Sequence, residues 1–316
     1  MRWTLNEIIH GRLAEFEITS FLLGLLMKGE TGGELAAAAR VVREHMVSLD
    51  LGRTGVLDTC GTGGDGPKTF NISTATAFVA AGAGVPVVKH GNRAVSSNSG
   101  SADVLQALGV AIQGDLAWAR QCLHQAGLAF CFAPHFHPAW RAVSAIRQRL
   151  GVRTIFNLLG PLANPAGADY QLLGVNRPEL LDPVADALTL LGTRHALVVS
   201  GDDGLDEVTL TAPTQVRDVR EGTVRRLVWH ADDFGLPACE LHELRVSGPE
   251  ESAARVRTIL DGKDSASARI VVANAAAALL AAERVQSLRQ GVELARQAIV
   301  TRAALGVLDR LAALTL

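Results

Sequence analysis

Apolar residues recur at helical spacing near the start of the chain, where Phe16, Ile18, Phe21, Leu22, Leu25 and Leu26 form one series and residues 35–46 carry a second. Gly29 and Gly32-Gly33 separate the two series. A 3.6-residue period broken by glycine predicts helices, so residues 1–52 read as a small helical domain. Beyond residue 53 the pattern changes. Short apolar runs at 85–88, 128–132 and 196–199 have the length of buried strands, and stretches with helical character alternate with them at 75–83, 102–108, 116–126 and 183–191. Such alternation predicts an α/β fold in which residues 53–316 form a larger domain, a mainly parallel sheet flanked by helices.

Three further segments complete this reading. Residues 138–150 have a helical apolar face of Val143, Ile146 and Leu150, with Arg147 on its border and Arg141 and Arg149 further round. Residues 151–165 contain Gly151, Gly160, Pro161 and Pro165 and are expected to form a structured connection; helices from about 138–165 should join the small domain. Residues 208–228, rich in Val, Thr and Arg with turns at Ala212-Pro213 and Glu221-Gly222, predict short antiparallel strands. From Ser252 onward the chain is alanine- and leucine-rich at helical spacing, and Asn274 within it is expected to be a buried, satisfied side chain.

Composition narrows the function classes. The chain has 316 residues, 48% of them hydrophobic, enough for a large core and about two domains. A formal net charge of -2 gives no overall attraction to nucleic acid or anionic membranes, so any anion site must be local. Cys60, Cys122, Cys131 and Cys239 lack close pair spacing and are expected to be reduced thiols of a cytoplasmic protein, with Cys60 structural. The N-terminus does not have a signal-peptide pattern, and no uninterrupted apolar run reaches about 18 residues, so neither secretion nor membrane spanning is expected.

The candidate chemistry is concentrated between Asp58 and Gly109. Gly61, Gly63, Gly64 and Gly66 surround Asp65 just after an apolar pair, and backbone N–H groups in such a turn can approach an anion without side-chain obstruction. Asn71, Ser73 and Thr74 precede an apolar helical run, the sequence form of a helix N-terminus that favours phosphate. Lys89-His90-Gly91-Asn92-Arg93 follows a short apolar run, placing cations at a strand end, where ligands of open α/β sheets bind. Ser96, Ser97, Ser99 and Ser101 lead into another helix start. Any one glycine-rich turn is more often only a turn; several at successive element ends exceed what turn chemistry requires. Asp202-Asp203-Gly204-Leu205-Asp206-Glu207 follows another strand, and its adjacent carboxylates suit Mg²⁺, although acidic loops are usually only solvated. His135 and His137, beside Pro134 and Pro138, have the ring character to border an aromatic ligand, but a structural role is the stronger expectation.

Gly61-Thr62-Gly63-Gly64-Asp65, Asn71-Ile72-Ser73-Thr74, Lys89-His90-Gly91-Asn92-Arg93 and Ser101-Ala102-Asp103 together resemble the signature of the anthranilate phosphoribosyltransferases. The likeness continues through Arg147, residues 153–165 and Gly204-Leu205-Asp206-Glu207, so it covers most of the chain. Asn98 departs from it, since relatives often carry a basic residue there, and Ala145-Ile146 replaces the usual Pro-Val before the arginine. The helical region begins near what is a later helix in most members.

The resemblance implies transfer of phosphoribosyl from 5-phosphoribosyl 1-diphosphate to anthranilate in tryptophan biosynthesis, with Mg²⁺ as cofactor, in a cytoplasmic homodimer without nucleic-acid or membrane partners. It assigns Gly61, Gly64, Asp65, Thr69, Asn71, Ile72, Ser73, Thr74, Lys89, His90, Gly91, Asn92, Arg93, Ala94, Val95, Ser96, Ser97 and Ser101 to the donor. Anthranilate would be held by Gly61, Asn92 and Arg147, and the metal by Ser73, Asp206 and Glu207, with no certain catalytic residue. Two rivals stay open. A nucleoside phosphorylase of the same fold group also sets an anion beside a ribose C1, but its relatives lack this pairing of motifs. A noncatalytic nucleic-acid-binding paralogue predicts lost phosphate motifs and a basic stripe, and neither is present in the sequence.

Overall fold

The computed structural model describes residues 1–64, 68–93 and 99–314. Three helices open the chain: α1 (Arg2–Ile9), α2 (Glu15–Lys28) and α3 (Gly32–Glu44). The start of α3 is written in its sequence. Thr31 accepts the Glu34 N–H at 3.3 Å and the Glu34 carboxylate accepts the Thr31 N–H at 3.0 Å, a capping box that satisfies two otherwise orphaned donors.

A seven-stranded sheet follows: β1 (Leu57–Gly61), β2 (Val87–Gly91), β3 (Leu128–Phe132), β4 (Tyr170–Gly174), β5 (His195–Gly201), β6 (Thr214–Arg220) and β7 (Thr223–Trp229). Spatial order is β3-β2-β1-β4-β5-β6-β7; the first five are parallel, and β6 and β7 add an antiparallel hairpin at one edge. The chain runs outward from β1 to β3 and then returns to β4 on the opposite side of β1. The C-terminal end of β1 is therefore a topological switch point, where two connections diverge and leave a crevice.

The crossovers are helical. Helix α4 (Ile72–Gly82) joins β1 to β2, and α5 (Ser101–Ala107) with α6 (Leu116–Ala126) joins β2 to β3. Between β3 and β4 lie α7 (Ala133–Phe136), α8 (Arg141–Leu150) and α9 (Ile155–Leu162), and α10 (Leu181–Leu191) precedes β5. The chain closes with α11 (Ala231–Phe234), α12 (Pro249–Leu260), α13 (Ala266–Ala281), α14 (Leu288–Val300) and α15 (Ala303–Ala313). Both sheet faces are covered. Leu172 and Leu197 pack with α4, α13 and α15, whereas their neighbours Leu173 and Val198 pack with α3, α9 and α10, as the two-residue period of a strand requires. The edge strand β7 carries Arg225 and Arg226, charges that discourage pairing with another chain.

The pattern-based reading finds most of these elements but not β4. In β4 the polar Gln171 follows Tyr170, leaving only Leu172-Leu173 as an apolar pair, so no strand-length run stands out. Helix α9 falls within residues 138–165, expected to contribute helices, and occupies part of the structured connection expected over 151–165. Gly160 and Pro161 signal a break there, yet Pro161 sits in the last turn, and burial of Ile155, Phe156, Leu158, Leu159 and Leu162 stabilises the helix. Asn274 is buried as expected: its side chain accepts the Val208 N–H at 2.9 Å and donates to the Val208 carbonyl at 2.7 Å. No helix among the described residues is long and apolar enough to cross a membrane.

Helices α13 and α14 cross so closely that Gly291 meets backbone; a Cβ there would stand 2.8 Å from both Cα and the carbonyl oxygen of Ala276. Gly291→Ala is therefore expected to lower stability by about 1–2 kcal/mol, an overpacking cost that exceeds the gain in helix propensity of about 1 kcal/mol. Urea unfolding would measure this, and a variant as stable as the parent would contradict the crossing.

Candidate active site

The site grows from the switch point. Beyond β1, Thr62 N–H donates to the Gly174 carbonyl at 2.9 Å and Gly63 N–H donates to Asp206 Oδ2 at 2.8 Å. Gly63 and Gly64 have φ of 66° and 76°, the left-handed region where glycine is favoured. Two more glycines admit the acidic loop that follows β5: a Cβ on Gly61 would overlap the Asp206 carboxylate, and one on Gly174 would overlap the Asp206 carbonyl. This close approach brings Asp206 and Glu207 to the glycine turn.

Helix α4 begins beside that turn. Asn71 caps it, accepting the Thr74 N–H at 3.2 Å and the Thr74 hydroxyl, while its own N–H donates to Ser252 Oγ at 2.9 Å. Thr74 is buried in this arrangement and does not line the cavity, whereas Asn71, Ile72 and Ser73 do. Thr69 lines it too, held by an antiparallel bridge to Arg245.

The end of β2 supplies the cation. Lys89 is buried, and its ammonium donates to the Thr59 carbonyl and, at 3.1 Å, to Ser73 Oγ. Burial pulls its pKa down, while the Asp58 carboxylate opposes that shift. Asp58 itself is pushed up to about 6 by burial and accepts from Asn164 Nδ2 at 2.7 Å. His90 Nδ1 lies 3.1 Å from the Gly160 carbonyl, so Nδ1 carries the proton; its Nε2 is buried with no hydrogen-bond partner among the described residues. Arg93 turns to α5, donating to Asp103 at 2.8 Å and Gln106 at 2.9 Å, and Ser101 Oγ donates to the Asn92 carbonyl at 3.4 Å.

These elements enclose a cavity of about 250 Å³. Of the residues expected at the site, Gly61, Gly64, Thr69, Asn71, Ile72, Ser73, Lys89, His90, Gly91, Asn92, Arg93, Ser101, Asp206 and Glu207 line it. Asp65, Ala94, Val95, Ser96 and Ser97 lie outside the described residues. Cys60 also borders the cavity, but burial holds its thiol well above the usual range, which removes nucleophilic character.

Arg147 is not in this wall. It lies half-buried on α8 with its guanidinium carbon 5.5 Å from the Phe156 ring centre. From Phe156 a row of rings leads back to the cavity: Trp140 at 6.4 Å, His137 stacked on Trp140 at 4.4 Å, then His90 at 4.8 Å. His137, expected to be structural, is a buried member of this row. Arg153 and Asn157 line the cavity without having been singled out as site residues. The Thr-x-x-Asn start of α9 is the sequence signal that could have drawn attention to this corner: Thr154 N–H donates to Asn157 Oδ1 at 3.0 Å, which ties Asn157 to the helix start.

Burial lowers His90 to about 4 and, with repulsion from His90, His137 to about 3. Both are neutral near pH 7. The unfolded chain takes up protons below about 6.5 that the folded protein refuses, so stability should fall as pH drops from there through 4 toward 3. His137→Gln should flatten that slope in chemical denaturation across a pH series; an unchanged slope would count against the burial argument. Asp58 titrates with the opposite sign in both proteins and cancels in the comparison.

Residues 1–46 match a family described as the helical bundle domain of a glycosyl transferase family, and residues 53–305 match its a/b domain. An anthranilate phosphoribosyltransferase of Thermomicrobium roseum is 50% identical over 315 residues, covering 98% of this chain and 90% of the relative. The chain belongs to the anthranilate phosphoribosyltransferase family. Another anthranilate phosphoribosyltransferase, from Thermus thermophilus, has a crystal structure that superposes with a TM-score of 0.93 at 42% identity, covering 99% of this chain and 93% of that one. The Saccharomyces cerevisiae enzyme in complex with PRPP and Mg gives a TM-score of 0.86 at 31% identity, covering 94% of this chain and 84% of that one. In this family member the glycine turn, the start of α4 and the Lys89–Arg93 segment converge at the sheet's switch point, and the ring row connects them to Arg147.

Proposed function

We propose that this chain transfers the phosphoribosyl group of 5-phosphoribosyl 1-diphosphate to the amine of anthranilate, giving N-(5-phosphoribosyl)anthranilate and diphosphate for tryptophan biosynthesis. The observation that carries this reading is one cavity gathering the glycine turn, the α4 N-terminus, the Lys89–Arg93 segment and the Asp206-Glu207 loop, with a row of rings leading from it to an arginine.

The donor side is assigned to Gly61, Gly64, Asp65, Thr69, Asn71, Ile72, Ser73, Thr74, the segment from Lys89 to Ser97, and Ser101. Within it, Thr74 would act through the Asn71 cap rather than by touching ligand. Arg147 would take the anthranilate carboxylate as a planar bidentate donor, with Asn92 and Gly61 toward the amine. The aryl amine is neutral near physiological pH and already holds its lone pair, so it can form the N–C1 bond without a strong base. As the C1–O bond breaks, the electron pair leaves with diphosphate, which would also take up the proton that the nitrogen sheds after bonding to C1, and oriented backbone donors and Lys89 would stabilise the growing charge. Exclusion of water by the buried rings, and positioning of the two substrates, would favour the amine over hydrolysis.

Asp206, Glu207 and Ser73 all line the cavity and carry hard oxygen donors, a set that would suit Mg²⁺. When bound, Mg²⁺ would neutralise diphosphate charge.

Trp3, Phe16 and Met27 on α1 and α2 are 69%, 71% and 87% exposed, and this apolar surface supports a homodimer formed through the opening helices. We also read residues 1–52, joined by helices of 138–165, as a unit distinct from residues 53–316, in a cytoplasmic enzyme. The decisive test is loss of anthranilate fluorescence that requires both donor and Mg²⁺. Nucleoside phosphorolysis without anthranilate turnover, or salt-sensitive DNA binding without either, would replace this reading.

A further inference from the structure

The peptide unit joining Thr62 to Gly63 is held at both ends. Its N–H donates to Asp206 Oδ2 at 2.8 Å, and its carbonyl, on Thr62, accepts from Arg153 Nη2 at 2.8 Å. Arg153 Nη1 takes the next carbonyl, that of Gly63, so one planar guanidinium spans two successive peptide units of the glycine turn. The turn is shaped to admit it: Gly64 has φ of 76°, and a Cβ there would run into Nη1. Thr62 N–H is fixed separately by the Gly174 carbonyl.

Arg153 comes from the link between α8 and α9, on the side of the molecule where Arg147 lies, and it is close enough to Arg147 to lower that residue's pKa after burial has done so. Proximity alone would make it a second acceptor-side cation. Its hydrogen bonds point elsewhere, because both nitrogens of the fork face the carbonyls of the turn. In a trans peptide the carbonyl and N–H point in opposite directions, so anchoring one aims the other. Arg153 therefore directs Gly63 N–H at Asp206.

We propose that Arg153 is a positioning residue for the donor half of the site: by clamping the Thr62 and Gly63 carbonyls it sets the turn that holds Asp206 in place for the magnesium-bound diphosphate. This rests on the functional reading above. Lysine cannot substitute, since a single ammonium lacks the rigid fork that engages two carbonyls at fixed spacing.

The test measures donor affinity by calorimetry, with Mg²⁺ and without anthranilate, alongside both KM values and the Mg²⁺ half-saturation point. Arg153→Ala should weaken donor binding at least about tenfold and raise the Mg²⁺ requirement, as expected when a preorganised charged contact is lost, while the anthranilate KM changes by less than about threefold. Arg153→Lys keeps the charge and most of the packing, so it guards against a folding defect; it should move donor binding in the same direction. Unaltered donor affinity in either folded variant, or equal rises in both KM values, would overturn the proposal. A parent protein that binds the donor but never consumes anthranilate would overturn the functional reading and leave the clamp to be judged by calorimetry alone.

Discussion

Replacing Arg147 with alanine is expected to raise the KM for anthranilate about a hundredfold while the donor KM stays within about threefold. A carboxylate held by two charge-assisted hydrogen bonds loses about 1.5–3 kcal/mol for each that disappears, and about 2.7 kcal/mol corresponds to a hundredfold. The surroundings of Arg147 enlarge the effect. Burial and the nearby charge of Arg153 both pull its pKa down, so the guanidinium is held in a place where positive charge is disfavoured and an arriving anion is correspondingly welcome. The Phe156 ring, 5.5 Å from the guanidinium carbon, adds a cation–π contact that helps hold the side chain. Arg147→Lys should recover only part of the loss. Steady-state kinetics with each substrate varied in turn decides the matter, and matching rises in both KM values would remove Arg147 from the acceptor side.

The sequence made the frame of this site legible because its signals are local. Glycines at 61, 63 and 64, the Asn71 cap and the cationic segment after β2 each announce an element end, and α/β alternation implies that such ends gather on one edge of a sheet. Features set by contacts between distant segments were not legible. Arg153 binds backbone carbonyls 90 and 91 residues away, and a carbonyl has no residue type to pattern against. Trp140 and Phe156 look like ordinary core residues until the fold lines them up between Arg147 and His90. The hydroxyl of Thr74 turns to Asn71 and away from the cavity because the cap needs it, an outcome decided by helix geometry rather than composition. Strand β4 was hidden for a related reason: Gln171 donates to the Pro161 carbonyl at 2.8 Å, a tertiary bond that lets a polar residue occupy the middle of the sheet.

The largest loss of all is expected from Asp206→Asn, a change of almost no volume. The carboxamide can still accept the Gly63 N–H through its oxygen, so the turn should keep its shape and the protein its stability. What disappears is a negative charge that lies close enough to Lys89 to favour its protonated form. With it goes one of the hard ligands proposed for the metal. If the metal and the donors around it carry most of the leaving-group stabilisation, kcat/KM should fall by about a hundred- to a thousandfold, the range found when one such charge-stabilising group is removed. The Mg²⁺ concentration for half-maximal rate should rise as well, while the anthranilate KM changes little. Alanine would be a poorer probe, since it also frees the Gly63 N–H and mixes a structural defect with the electrostatic one. An asparagine variant with the parent's magnesium dependence would show that the carboxylate serves only to hold the turn.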